Sequence, residues 1–168
     1  MKISTGARLL GAGQIVFTAI YFGYLLYVGF SWGFTPRLMQ LFITDSIFLF
    51  FLISSAGLFM LKPWGWWVTA ILWGKLLLSR VIGTGTEWFM ISSGLLAEQL
   101  DLLTAAADLG IIILLSGVLL LIFTRAFRQT FRIHETRGRL LIMTGMGVIV
   151  LYAVFFTVTL AVVLAAGL

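Results

Sequence analysis

Five long apolar stretches fill most of this chain, and each is close to the ~20 residues a helix needs to cross a bilayer. They are read as helices over roughly 7–30, 38–61, 64–82, 102–123 and 140–164. The gaps between them carry Lys2 and Arg8, then Lys62, then Arg125, Arg128, Arg132, Arg137 and Arg139. Counted alternately in and out, these eight of the eleven Lys and Arg residues fall on one side. Short cytoplasmic loops hold such an excess of basic residues. The pattern predicts an all-α integral membrane protein, a bundle of about five transmembrane helices with the N-terminus inside and the C-terminus outside.

Composition points the same way. Charged residues make up 10% of the chain, against about 25% in a soluble domain. One transmembrane domain over 1–168 is expected. The net charge of +5 follows the predicted topology and suits contact with anionic lipid. No basic and aromatic stripe lies on a soluble domain, so nucleic acid is not an expected partner. The absence of cysteine removes disulfides, thiol redox chemistry and thiolate metal sites. The lone histidine, His134, removes a histidine metal cluster and a haem held by two histidines of one copy. Lys2 and Arg8 before an apolar run imitate a secretory signal. The run from Leu9 to Phe30 is longer than the roughly 7–15 residues of a signal core, so an uncleaved first helix is expected.

The connections carry their own signals. Trp32, Gly33 and Pro36 suit an outer turn at the interfacial aromatic belt. In Lys62-Pro63-Trp64-Gly65-Trp66-Trp67 the proline can open the next helix, Lys62 can reach phosphates, and the tryptophans are expected at the headgroups. Gly83-Thr84-Gly85-Thr86 is expected to break the third helix, leaving 87–101 as a short amphipathic outer segment, either a surface helix or a plug.

Four groups of residues could carry function. Asp45 and Lys75 lie inside predicted helices, where ionised side chains are costly and normally paired. Asp45 follows Leu38 by seven residues and Lys75 precedes Ile82 by seven, which puts both about 10 Å below the outer boundary. An intramembrane Asp45–Lys75 ion pair or shared hydrogen-bond network is expected, either fastening helices or serving an ion, proton or polar-substrate pathway. An outer polar cluster of Arg80, Glu87 and Asp108 follows, with Arg80 free to pair with either acid or to snorkel. Glu98 and Asp101 share a helical face at the same outer side. On the basic inner segment, Phe123, Phe127 and Phe131 form one stripe, while Arg125, Arg128 and Arg132 project elsewhere. This predicts an interfacial helix whose guanidinium groups contact lipid phosphates or an acidic partner.

His134-Glu135 is not a zinc-protease motif, because Gly138 stands where the second histidine is needed. Small residues at Ala19 and Gly23, at Ala106, Gly110 and Gly117, and at Gly145 and Gly147 mark expected helix-packing faces. Gln14, Thr18, Tyr21 and Tyr24 are expected to face the bundle.

No catalytic residue and no metal site is singled out. The expected function is an accessory or scaffold subunit of a larger membrane complex. The alternatives are a small transporter or channel using Asp45 and Lys75, and a lipid-acting membrane enzyme. Membrane lipids and other membrane subunits are the expected partners, in a prokaryotic-type cytoplasmic membrane. Bound lipid is expected and no cofactor is predicted, while a pigment or quinone held by apolar contacts stays open.

Overall fold

The computed structural model describes residues 3–95 and 102–166. Its elements are α1 (Ile3–Trp32), α2 (Pro36–Thr44), a 3-10 stretch (Asp45–Leu49), α3 (Phe50–Phe59), α4 (Pro63–Ser92), α5 (Leu102–Phe123), α6 (Arg125–Thr130) and α7 (Arg137–Ala166). The fold is all-helical, with no strand among the described residues. Among the described residues five helices are long and apolar enough to cross a membrane, α2 and α3 counting together as one.

The helix ends follow local chemistry. Thr35 caps α2 by accepting from the Leu38 N–H, with Pro36 in the first turn. Gly33 and Gly94 close α1 and α4 with positive φ. Leu61 and Arg132 do the same after α3 and α6 without glycine, at φ 52° and 59°. After α6 the Arg132 N–H bonds to the Gln129 carbonyl at 3.1 Å and the Ile133 N–H to the Arg128 carbonyl at 3.2 Å. These are the paired bonds of a Schellman cap, here forced on an arginine.

The third apolar stretch departs from expectation. The Gly83–Thr86 stretch does not break α4, which runs unbroken to Ser92. Each interior glycine costs a helix about 1 kcal/mol. Two such residues do not end a thirty-residue helix whose other positions favour continuation. The segment 87–92 is therefore the last turn and a half of α4 rather than a surface helix. The remainder of 87–101, with Glu98 and Asp101, lies outside the described residues beyond Leu95.

α1 packs on α3, α3 on α4, and α4 on both α5 and α7, which makes α4 the central helix. At the α3–α4 crossing, Gly57 meets Gly65 backbone to backbone. A Cβ added at Gly65 would stand 2.7 Å from the Gly57 carbonyl oxygen, and one at Gly57 would stand 2.7 Å from the Trp64 ring. Only glycine at both positions allows this approach.

The end of the bundle that carries the basic residues is closed by one apolar cluster. Ala7, Leu58, Trp66, Ile122, Phe131 and Leu140 are all fully buried there. Trp66 is thus a core residue and not a headgroup anchor. Its indole N–H donates to the Ile122 carbonyl at 3.0 Å, satisfying one of the carbonyls that the end of α5 leaves open.

Candidate functional site

Polar groups inside this bundle fall into three places. The first is a seam joining α1, α3 and α4. Gln14, Ser54, Ser55 and Thr69 are buried in it. Ser54 and Ser55 each donate to Gln14 Oε1 at 3.1 Å. Ser54 and Thr69 share a 2.6 Å hydrogen bond, and Thr69 donates onward to the Gly65 carbonyl. Ser55 also reaches the Gly11 carbonyl at 2.9 Å. The expectation that Gln14 and Thr18 face the bundle holds, since both are buried, whereas Tyr24 is exposed.

The second place is the half of α4 beyond Gly74. The Asp45–Lys75 ion pair does not form. Asp45 accepts a short hydrogen bond from the Tyr21 hydroxyl of α1. Lys75 instead lies over the Tyr152 ring of α7, 5.6 Å from its centroid, within cation–π range. Tyr152 and Ser79 share a short hydrogen bond beside it. The second span is not one regular helix over 38–61, because the chain winds as a 3-10 helix from Asp45 to Leu49. At three residues per turn, five such residues turn the following face by about 100° relative to an α-helix. Ser46, whose hydroxyl bonds to the Ile43 carbonyl at 2.7 Å, offers the backbone a local alternative there.

Arg80 and Asp108 do pair, joining α4 to α5. Glu87 of the expected outer cluster is exposed and stands outside the Arg80–Asp108 pair. Thus the four charges inside the spans make three separate contacts: Asp45 with α1, Lys75 with α7, and Arg80 with Asp108 of α5. Among the described residues no group of three His, Asp or Glu side chains could hold a metal ion.

The third place is the basic end. The aromatic stripe does not project outward. Phe127 and Phe131 are buried in the apolar cluster, and Ile133 joins them. Arg128 is buried too, and its Nη1 donates to the Glu135 carbonyl at 2.8 Å. The expected lipid or partner contact through Arg128 is therefore corrected: this guanidinium holds the α6–α7 connection. Arg125 and Arg132 are exposed. α6 is a single short helix folded under the bundle because its rings complete the cluster around Trp66. Spacing alone could not distinguish that from rings lying in lipid.

The small-residue faces divide as well. Gly147 packs on Ile71, where an added Cβ would stand 2.8 Å from Cγ1. Gly23, Gly110, Gly117 and Gly145 have open space beside them. α5 and α7 are the least covered of the five long helices, and each rests chiefly on α4. Between them lies a gap of about 610 Å³, lined by Ser116, Leu119, Leu120 and Phe123 of α5 and by Arg137 and Leu141 of α7.

No protein-family model, characterised protein or solved structure matches the chain.

Proposed function

We propose that this protein is a membrane-embedded accessory or scaffold subunit whose seam between α5 and α7 receives a transmembrane helix of a partner protein. The observation that carries the reading is the contrast on α4. One side of it is closed by glycine-to-glycine contact with α3, while α5 and α7 stand apart over a 610 Å³ gap. Gly145 lies one helical turn beyond Leu141, the last α7 residue at the gap, and it has no neighbour within 4 Å. Small residues without neighbours on the least covered helices let a foreign backbone approach closely. The charged groups support the same reading. Tyr21–Asp45 ties α1 to the 3-10 stretch, Lys75–Tyr152 ties α4 to α7, and Arg80–Asp108 ties α4 to α5. Each fastens a different helix pair, which is what a scaffold uses and not what a continuous polar route needs. The same dispersal weighs against paired carboxylates serving a lipid-acting enzyme, which would have to converge on one pocket.

In this reading the basic end faces the inside of a cytoplasmic-type membrane and the C-terminus lies outside. The basis is the bias of Lys and Arg toward the connections at that end.

Photo-crosslinking in native membranes tests the proposal. A photoreactive residue at Leu119 or Leu141 should give a discrete adduct with one other membrane protein. The same probe at Ile20 of α1 should not. Purified chain that gives only self-adducts or lipid adducts, and that conducts an ion or solute in liposomes, would replace this reading with the transport one.

A further inference from the structure

The inner mouth of the α5–α7 gap carries a positive charge that no acid of this chain answers. Arg137 of α7 lines the gap at that end, together with Thr124 of α5. Arg125 follows Thr124 directly, and both arginines are exposed. Of the six acids in the chain, only Glu135 belongs to the connections at the basic end. Glu135 is already engaged, since its Oε2 lies 3.1 Å from Nη1 of Arg139. The other ion pair among the described residues, Arg80–Asp108, lies in the opposite half of the bundle. Away from the mouth the lining is largely apolar, with Leu119, Leu120 and Leu141 among its residues. Ser116, also in the lining, precedes Thr124 by eight residues, about 12 Å along α5. The gap is thus a hydrocarbon slot with a cation at its inner rim.

A transmembrane helix seated in this slot brings its own inner end against Arg137. Either chain direction does so, because every span crosses the same two boundaries. Inner ends of transmembrane helices ordinarily lead into connections rich in Lys and Arg. Such an end would set like charges together at a rim where the docked helix also removes water from Arg137. Both effects oppose docking. An Asp or Glu in the last inner turn reverses the sign. The planar guanidinium then meets a carboxylate in a two-pronged, charge-assisted hydrogen bond. The rim selects its partner by repulsion of the wrong helix as well as by attraction of the right one.

A second copy of this chain does not meet that requirement. Its spans reach the basic end beside Arg8, Lys62, Arg125 and Arg137, and the acid nearest to them is the engaged Glu135.

We infer, resting on the subunit reading above, that the helix received here belongs to a different protein and carries an Asp or Glu at its inner end, paired with Arg137. The test uses the full chain in native membranes with the photoreactive residue at Leu119, which lines the gap and leaves Arg137 intact. Arg137→Lys should keep most of the adduct. Arg137→Gln should cut its yield severalfold, and Arg137→Glu at least tenfold. Arg137 is exposed, so these variants should keep the parent's thermal midpoint. If Arg137→Glu misfolds, Arg137→Gln still decides. The crosslinked segment of the partner should hold an Asp or Glu within one turn of its inner end, and Arg in its place should restore the adduct with Arg137→Glu. An adduct yield unchanged by Arg137→Gln, or a partner helix with a basic inner end, would overturn the inference while the subunit reading stands. Adducts only with lipid or with a second copy of this chain would overturn both.

Discussion

The two halves of this bundle solve the same problem in opposite ways. At the basic end, the long helices are drawn together by apolar surfaces, Gly57 on Gly65 and a ring of apolar side chains around Trp66, while the Arg128 guanidinium holds the α6–α7 connection. In the other half, helices are joined by polar contacts at single points, Tyr21 to Asp45, Lys75 to Tyr152 and Arg80 to Asp108. Close packing depends on shape and tolerates almost no change of volume. Point contacts depend on chemistry and leave the helices free to diverge, as α5 and α7 do. The difference teaches where the molecule is rigid and where it can receive something.

Breaking the close contact should have the largest effect. Gly65→Leu would place a branched side chain against the Gly57 backbone and force α3 from α4. Overpacking of this kind costs about 3 kcal/mol or more where backbone and not side chain must move. We expect loss of folded protein or a large drop in thermal midpoint in detergent. Gly117→Leu, with open space beside it, is the control and should unfold near the parent temperature. Equal tolerance of both changes would remove the tight crossing from the account.

Trp66→Ala comes next. It empties the centre of the apolar cluster and orphans the Ile122 carbonyl. Aromatic-to-alanine changes in a core cost about 3 kcal/mol, with the spread set by how well the site collapses. Trp66→Phe narrows the comparison, because it keeps a six-membered ring in the cluster while removing the N–H and part of the indole volume. It should cost about 1–2 kcal/mol. Thermal unfolding of the two variants side by side bounds the share carried by the hydrogen bond.

Asp108→Asn probes the other half. The Asp108 side chain is 9% exposed and that of Arg80 is 40% exposed, so the pair is half open to its surroundings. Screening at the Arg80 side reduces the loss to about 1 kcal/mol. A cycle with Arg80→Gln should give a coupling energy of the same size. A coupling as large as the Trp66 effect would mean that the far half is as tightly built as the basic end, and the contrast would lose its basis.

How far the sequence speaks depends on which half is read. The five long helices are legible because apolar run length is a local property, and α5 ends at Phe123 as the run does. The Arg80–Asp108 contact is legible because buried charges seek partners and few were on offer. Asp45–Lys75 fails for a reason that arithmetic on helix length cannot see: the 3-10 stretch turns the face of the second span partway along it. The Ser54, Ser55 and Thr69 seam has only a faint signature in the sequence, where Ser54-Ser55-Ala56-Gly57 interrupts an apolar run. Knowing that those hydroxyls meet Gln14 requires knowing which helix lies on which. The spacing of Phe123, Phe127 and Phe131 specifies one face but not its surroundings. A face wetted by lipid and a face packed on Trp66 ask for the same side chains.

The smallest effect concerns Arg132, and its sign is the informative part. This residue sits at φ 59° to close α6, a conformation that costs a residue with a Cβ about 1–2 kcal/mol and costs glycine little. Its side chain is exposed, so its removal takes away little packing. Arg132→Gly should therefore raise the thermal midpoint, by an amount worth somewhat under 1 kcal/mol because glycine also gains entropy in the unfolded chain. Two glycines already hold this conformation at Gly33 and Gly94. A natural arginine at the strained position then implies that its charge is kept for something outside the fold, as the bias of basic residues at this end requires. If Arg132→Gly destabilises the protein instead, the Arg132 guanidinium has a partner and joins Arg128 in holding the basic end.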